Sequence, residues 1–298
     1  MSPAAARLRA VTSLAALTRR IAPPAEAVDG RGDWEAVESA LGTALPEDFK
    51  SLVESYGSGD FCSFVFLHTP FGDGELVSIA LGLRDGHHDY RSGQPENYPY
   101  PLHPEPGGLL PWGGTTSGDL LCWLTHGPPH TWPVVVWDAN RTYEVHDMPA
   151  SEFLDRWSSG RIDSALLPTD SAAVRPWFDA WREMTHVYVR LDGGPLPYDE
   201  RLQILRDALA PTADRGSVVT SGSRRRQDRF IATPARWQLT YETAYGHQIR
   251  AAFPPGDNDL ARQEIFRAVQ QMGCNVVWAR EIDGTPTWAP LPQAPASA

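Results

Sequence analysis

The stretch LLPWGGTTSGDLLCWLTHGPPHTWPVVVWD, residues 109–138, constrains the fold of this chain more than any other. Within it DLLCWLT (119–125) and PVVVW (133–137) are strand-length runs without polar alternation, so each needs apolar cover on both faces, as a central strand has. YEVHD (143–147) reads as their more polar neighbour. The intervening GGTTSGD has the glycines of a phosphate loop. It has neither the lysine nor the following helix that would supply charge and amide donors to an anion. A strand follows it instead, and Asp119 at its exit would repel phosphate. The segment is therefore expected to turn a corner.

The flanking segments supply helices. DWEAVESALG places Trp34, Val37 and Leu41 on one helical face with Gly42 as the stop. In LPEDFKSLVESYG, Pro46 suits a first helical position and Glu47 and Asp48 face the N-terminal dipole, while Phe49, Leu52, Val53 and Tyr56 form a stripe closed by Gly57. FCSFVFL (61–67) reads as one strand, and Leu76, Ile79, Leu83 and Tyr90 step along a helix over 73–90. Six prolines in 95–111 predict an extended surface segment. Ser151 is expected to cap a helix carrying Phe153, Leu154 and Trp157, which ends at Gly160.

Length and composition ask for more than this one unit. A chain of 298 residues with 42% hydrophobic content and 11 Trp can fill two cores. No apolar stretch reaches the roughly 18 residues of a membrane-spanning helix. Beyond Leu167 a Pro/Ser/Asp stretch and a helix around Trp177 and Trp181 lead to HVYVRL (strand), YDERLQILRDAL (helix), GSVVTSG (strand), a long strand or hairpin over 235–253, a helix over 260–273 and the strand NVVWAREI. The resulting order, β-α-β-β-α-β, is that of a ferredoxin-like plait. SGSRRRQDRF (221–230) reads as an arginine-rich loop.

Residues 1–29 are rich in Ala and Arg, which superficially suits a transit peptide, but Leu8, Val11, Leu14, Leu17 and Ile21 recur at helical spacing and favour an amphipathic helix lying on the fold. The expected organisation is thus an arm over 1–29, an acidic domain over 30–165, a linker and helix over 166–184, the plait over 185–285 and a disordered tail over 286–298.

The chemistry-bearing residues do not assemble into a motif. His126 and His130 are four apart, but Gly127, Pro128 and Pro129 break the helix that would bring them to one face of a metal. Cys62, Cys122 and Cys274 are distant and odd in number, which suggests neither a disulfide framework nor a metal clasp and suits a reducing cytoplasm. No metal and no cofactor is expected. Asp119 and Glu144 are candidates for an acid–base pair, but surface charge is the stronger reading. Charge itself is uneven: residues 30–165 hold 20 Asp and Glu against 7 Lys and Arg, whereas residues 175–290 hold 14 acids and 15 Arg. A balance of −13 in one half disfavours nucleic acid and favours basic protein partners.

One succession of residues goes further: W34-x-x-V-E, L45-P-E-D-F-K, Y56-G-S-G-D-F, L109-L-P-W-G-x-T-x-S-G-D-x-L-C-W, W132-P-V-V-V, and S151-E-F-L followed by Trp157 and Gly160. In order and spacing it resembles the SUKH superfamily over about residues 30–165. That family is best represented by bacterial toxin-immunity proteins and has fungal relatives that regulate cell-wall assembly. The resemblance implies an α+β fold, a twisted, mainly antiparallel sheet flanked by helices, with no active site of its own. It implies that Trp34, Pro46, Gly57, Trp112, Trp123 and Trp132 are structural, and that Gly113, Gly114 and Gly118 permit a tight turn. It also implies a partner-binding surface, to which Asp60, Asp119, Asp138, Glu144 and Asp147 are assigned. The expected function is a non-catalytic, cytoplasmic immunity protein that neutralises a basic toxin, such as a nuclease, through an acidic surface. The alternatives are a regulatory or scaffold module whose ferredoxin-like half senses a ligand or dimerises, and an enzyme of unknown class.

Overall fold

The computed structural model describes residues 3–72, 75–168, 175–220, 225–244 and 246–288. The chain divides into two compact units, Met1–Trp181 and Arg182–Ala298.

Among its described residues the first unit has five α-helices, α1 (Pro3–Arg20), α2 (Trp34–Leu41), α3 (Glu47–Tyr56), α4 (Glu75–Gly93) and α5 (Ala150–Ser158). Its strands are β1 (Gly59–Phe61), β2 (Val65–Leu67), β3 (Leu109–Thr115), β4 (Leu120–Leu124), β5 (Val134–Trp137), β6 (Tyr143–His146) and β7 (Phe178–Ala180). They form one antiparallel sheet in the order β6-β5-β4-β3-β2-β1-β7.

The unpatterned runs of β4 and β5 are apolar on both sides because the sheet is covered on both sides. Leu121, Trp123, Val134 and Val136 face the main core with α1, α3 and α5, while Cys122, Val135 and Trp137 face a smaller cluster with Tyr98 and Leu102. An aromatic chain occupies the centre of the larger core. Trp112 and Trp123 stack at 5.9 Å, Phe49 meets Trp123 edge-on at 4.8 Å, and Trp132 lies 6.1 Å beyond.

Several elements differ from what the pattern predicts. FCSFVFL is a hairpin, not one strand: Phe61 pairs with Val65 across a three-residue connection in which Cys62 and Ser63 both take positive φ (57° and 55°), a geometry normally built from Asn or Gly. The proline-rich segment ends inside the sheet. Pro111 belongs to β3 at a register shift, past the end of β2, where its missing N–H removes no ladder bond to that neighbour. The residues around Trp177 and Trp181 are not helical. They carry β7, which pairs with β1 through Asp60↔Asp179 and sets Phe178 against Tyr56 and Phe61, covering an edge that would otherwise offer unpaired amides.

Gly113 and Gly114 lie in β3, not in the turn. A Cβ on Gly113 would meet the Phe66 carbonyl oxygen at 2.6 Å, and one on Gly114 the Phe66 ring at 2.9 Å. Only Gly118 serves the turn through a positive φ, 91°. Pro46 caps α3 from outside the first turn, and Gly57 closes that helix at φ 68° with its N–H on the Val53 carbonyl. Ser151 is not the cap of α5: Pro149 occupies that position, and the Ser151 amide is met by Asp48 from α3. In α1, Leu17 and Ile21 are buried and Leu14 half-buried against α3 and α5, whereas Val11 is exposed.

The second unit reads β8 (Thr185–Leu191), α6 (Tyr198–Ala208), β9 (Thr212–Thr220), β10 (Arg225–Ala232), β11 (Trp237–Glu242), β12 (Gln248–Phe253), α7 (Asn258–Gln271) and β13 (Val276–Glu281). Its sheet is antiparallel throughout, ordered β13-β8-β12-β11-β10-β9. This is a β-α-β-β-β-β-α-β order, two strands more than expected. The 235–253 region is the hairpin β11–β12, and most of the predicted arginine loop is β10. Its alternation is hidden because its inward positions include Arg226 and Asp228, which pair with each other at 3.0 Å while Tyr198 donates to Asp228. Arg224 lies outside the described residues. Residues 286–288, expected in the tail, are part of the fold: Trp288 is buried against Phe253 and donates to Asn258 at 2.9 Å. Residues 289–298 are outside the described residues.

Candidate functional site

The five acids assigned to partner binding do not gather into one patch. Asp119 is buried and accepts from the Thr115 hydroxyl at 2.6 Å, pinning the β3–β4 turn from within, so it is a support and not a contact surface. Asp138 caps the β5–β6 turn by accepting from the Thr142 amide at 2.6 Å. Glu144 on β6 accepts from Ser164 and from the Ala165 amide, at 2.6 and 2.7 Å, and so anchors the segment after α5. Asp60 on β1 is half-buried and accepts from the Trp181 indole at 3.1 Å. Asp147 is exposed, and its backbone carbonyl receives Arg9. The candidate Asp119–Glu144 pair is not formed: Glu144 lies on β6, two strands from β4, and its oxygens are engaged elsewhere.

Other acids do gather. The loop entering α2 runs against the end of α3, where Val28 bridges Gly57 and the Ser58 amide donates to the Val28 carbonyl at 2.7 Å. This brings exposed Asp29, Asp33 and Glu35, with exposed Arg31 among them and Glu26 at the start of the same loop, to the end of α3 that carries exposed Glu54. At their centre is half-buried Trp34, which donates to Glu54 at 3.3 Å and meets half-buried Phe71 edge-on at 4.8 Å. Local bonds fix the acids: Asp33 caps α2 through the Ala36 amide at 3.1 Å, and Asp29 accepts from Ser58 at 3.0 Å. The single lysine, Lys50, sits beneath, joining Glu38 and Glu47 and lying 5.9 Å from the Trp34 ring centre. Carboxylates beside a partly exposed aromatic pair give this end of the domain a polar surround and an apolar centre, an arrangement that protein-recognition surfaces also have. These acids are dispersed over 26–54, which is why no sequence motif marks them.

The remaining ionisable groups are bound into the fold. A groove of about 510 Å³ between α1 and α5 is lined by Arg9, Arg156, Arg161, Glu152 and Asp155. Glu152 receives Arg9 at 2.5 Å and Arg156 at 2.6 Å, while Asp155 receives Arg20 at 3.1 Å and Arg161. Burial would raise the Glu152 carboxyl, but the Arg9 hydrogen bond and the two guanidinium charges outweigh it and hold it below the usual range. His103 is buried on the Leu41 carbonyl at 2.7 Å, His87 meets the Tyr98 hydroxyl at 2.7 Å, and His126 and His130 are exposed in a loop. Burial pushes the Cys122 thiol up, away from the reactive thiolate. Among the described residues no group of three or more His, Cys, Asp or Glu is placed to hold a metal ion, and no helix is long and apolar enough to cross a membrane.

Residues 31–154 match the family model SUKH_6, described as SMI1-KNR4 cell-wall. These residues are a SUKH-superfamily domain. The matched span begins inside the acidic loop before α2 and ends within α5, so the SUKH domain contains the Trp112–Trp123 core and most of the acids beside Trp34. SUKH domains are in general toxin-immunity or cell-wall-related modules. No curated protein and no solved structure matches the chain significantly.

Proposed function

We propose that this protein is a non-catalytic, cytoplasmic immunity protein whose SUKH domain occludes a basic toxin. The observation that carries the reading is the set of exposed loop acids Glu26, Asp29, Asp33 and Glu35, which outnumber Arg31 and lead to Trp34 and its partner Glu54. Opposed charge steers encounter, and a ring fixed at the centre supplies the desolvated contact that holds a complex together. A nuclease fits as the target, because an enzyme that grips phosphates presents Lys and Arg to its substrate and therefore to an acidic mimic. A binding role also suits a unit whose carboxylates and histidines are so largely engaged in its own turns and helix contacts. The test mixes the purified protein with any toxin encoded beside its gene and measures toxin activity. Stoichiometric inhibition that weakens with salt supports the reading, and full toxin activity in the presence of excess protein contradicts it.

We read the second unit as a ferredoxin-like plait enlarged by one hairpin, since omitting β10 and β11 leaves the β-α-β-β-α-β order with β8 and β12 central. A second reading, a module that dimerises through this sheet, is favoured by the nine-residue edge strand β9, on which Val218 and Val219 are 49% and 67% exposed. A dimer by light scattering that Val219→Lys converts to a monomer supports it, and a monomer at all concentrations removes it.

A further inference from the structure

The two faces of the second unit's sheet differ in chemistry. α6 and α7 pack on the face that carries Val189, Phe230, Leu239 and Ile249. Side chains on the opposite face fall into register across all six strands. One transverse row reads Arg280, Tyr188, Arg250, Thr240, Arg229, Gly216, each residue directly opposite the next. With neighbouring strands about 4.8 Å apart, the row is roughly 24 Å long.

In the adjacent row Trp278 stands opposite Arg190. Two of these arginines already lie over rings, Arg250 at 5.5 Å from the Tyr188 centre and Arg280 at 5.0 Å from that of Trp278. Strand residues on this face contribute five guanidiniums, those of Arg190, Arg225, Arg229, Arg250 and Arg280, against one carboxylate, Glu242. Glu242 is buried and held by Arg250 at 2.7 Å. Arg229 and Arg280 are exposed, and Tyr188, Trp278 and Arg190 are half-buried.

We propose that this face binds a single-stranded polynucleotide laid across the strands, with Tyr188 and Trp278 as stacking platforms and Arg190, Arg229 and Arg280 on the phosphates. Flat rings alternating with guanidiniums suit bases alternating with phosphates, and base–ring stacking needs no particular sequence. An acidic protein segment would satisfy the arginines but has no use for two ring faces set between them. The proposal revises the expectation from net charge. The acidic balance belongs to residues 30–165, and at physiological ionic strength a charge acts over about 8 Å, so the local face decides. It is independent of the immunity reading, which concerns the SUKH domain.

The test is fluorescence anisotropy of the full chain with labelled 15-mers of oligo(dT) and oligo(rU), a 15-base-pair duplex, and polyglutamate as competitor. Expected are preference for the single strands and an affinity falling with salt as three phosphate contacts require, a log–log slope near −2. Arg229→Ala with Arg280→Ala should weaken binding at least ten-fold. Tyr188→Leu should weaken it about 5- to 100-fold, by loss of one stacked base. The stronger of the two single strands identifies RNA or DNA as the ligand. Unfolding midpoints control for folding, and should Tyr188→Leu misfold, the double arginine variant on exposed positions decides alone. No binding at 50 mM salt overturns the proposal. Polyglutamate competing as well as oligonucleotide, with binding insensitive to Tyr188→Leu, also overturns it and assigns the face to an acidic protein.

Discussion

Asp48, in the first turn of α3, accepts a hydrogen bond from the backbone amide of Ser151 in the first turn of α5 at 3.1 Å, joining two buried residues 103 positions apart. One side chain therefore satisfies an otherwise orphaned helix-start amide on a different helix. Burial holds the Asp48 carboxyl above the ordinary carboxylate range, although the bond from Ser151 opposes this.

The sign of that shift gives the first prediction. A carboxyl whose folded value lies above its unfolded value stabilises the fold in acid, and that contribution is lost as pH rises through the folded value. Asp48→Asn keeps an acceptor for Ser151 and removes the buried charge. It should raise the melting temperature at pH 8 and change it little at pH 4. Asp48→Ala strands the amide and should cost about 1–3 kcal/mol at both. Equal losses for Asn and Ala at pH 8 would contradict this account.

His68, which follows β2, behaves in the opposite sense. It is buried, neither ring nitrogen has a well-formed hydrogen bond among the described residues, and burial, opposed only in part by the nearby Gly113 backbone, lowers its pKa to about 4. Between the unfolded value near 6.5 and the folded value the unfolded chain binds the extra proton, so stability falls as pH drops through that window. The loss approaches about 3 kcal/mol. Urea titrations at pH 7.5, 6 and 4.5 should show His68→Leu losing less stability over this range than the parent. Parallel pH profiles would contradict it.

The glycines of GGTTSG should separate by cause. Gly118→Ala strains a left-handed turn residue with open space around it, at about 1–2 kcal/mol. Gly113→Ala drives a methyl into the Phe66 carbonyl and should cost more, about 2–3 kcal/mol, since both strands must move. Denaturant midpoints compare the two, and a reversed order would mean that β2 yields easily.

What the sequence reveals and what it hides follow from which interactions are local. β4 and β5 are readable because double-sided burial removes every polar residue from the run, and α2 because Asp33 and Gly42 are both cap residues. The β1–β2 hairpin is hidden because Cys62 and Ser63 take positive φ without the residues that usually signal it. β7 is hidden because its partner β1 is as short and unpatterned as itself, and β10 because inward Arg226 and Asp228 interrupt its apolar alternation, Asp228 pointing inward only because Tyr198 and Arg226 meet it there. The acids fail for a related reason. Asp119 and Asp33 look alike in a sequence, yet one faces Thr115 inside a turn and the other faces solvent at a helix start.

If the SUKH domain works through the acids around Trp34, the most direct measurement is the affinity of the purified protein for a toxin encoded beside its gene, parent against Asp33→Asn/Glu35→Gln/Glu54→Gln, from 50 to 300 mM salt. The account predicts a parent complex that weakens with salt and a variant at least ten-fold weaker with a shallower salt slope. Equal affinities and equal slopes for the two proteins would contradict it.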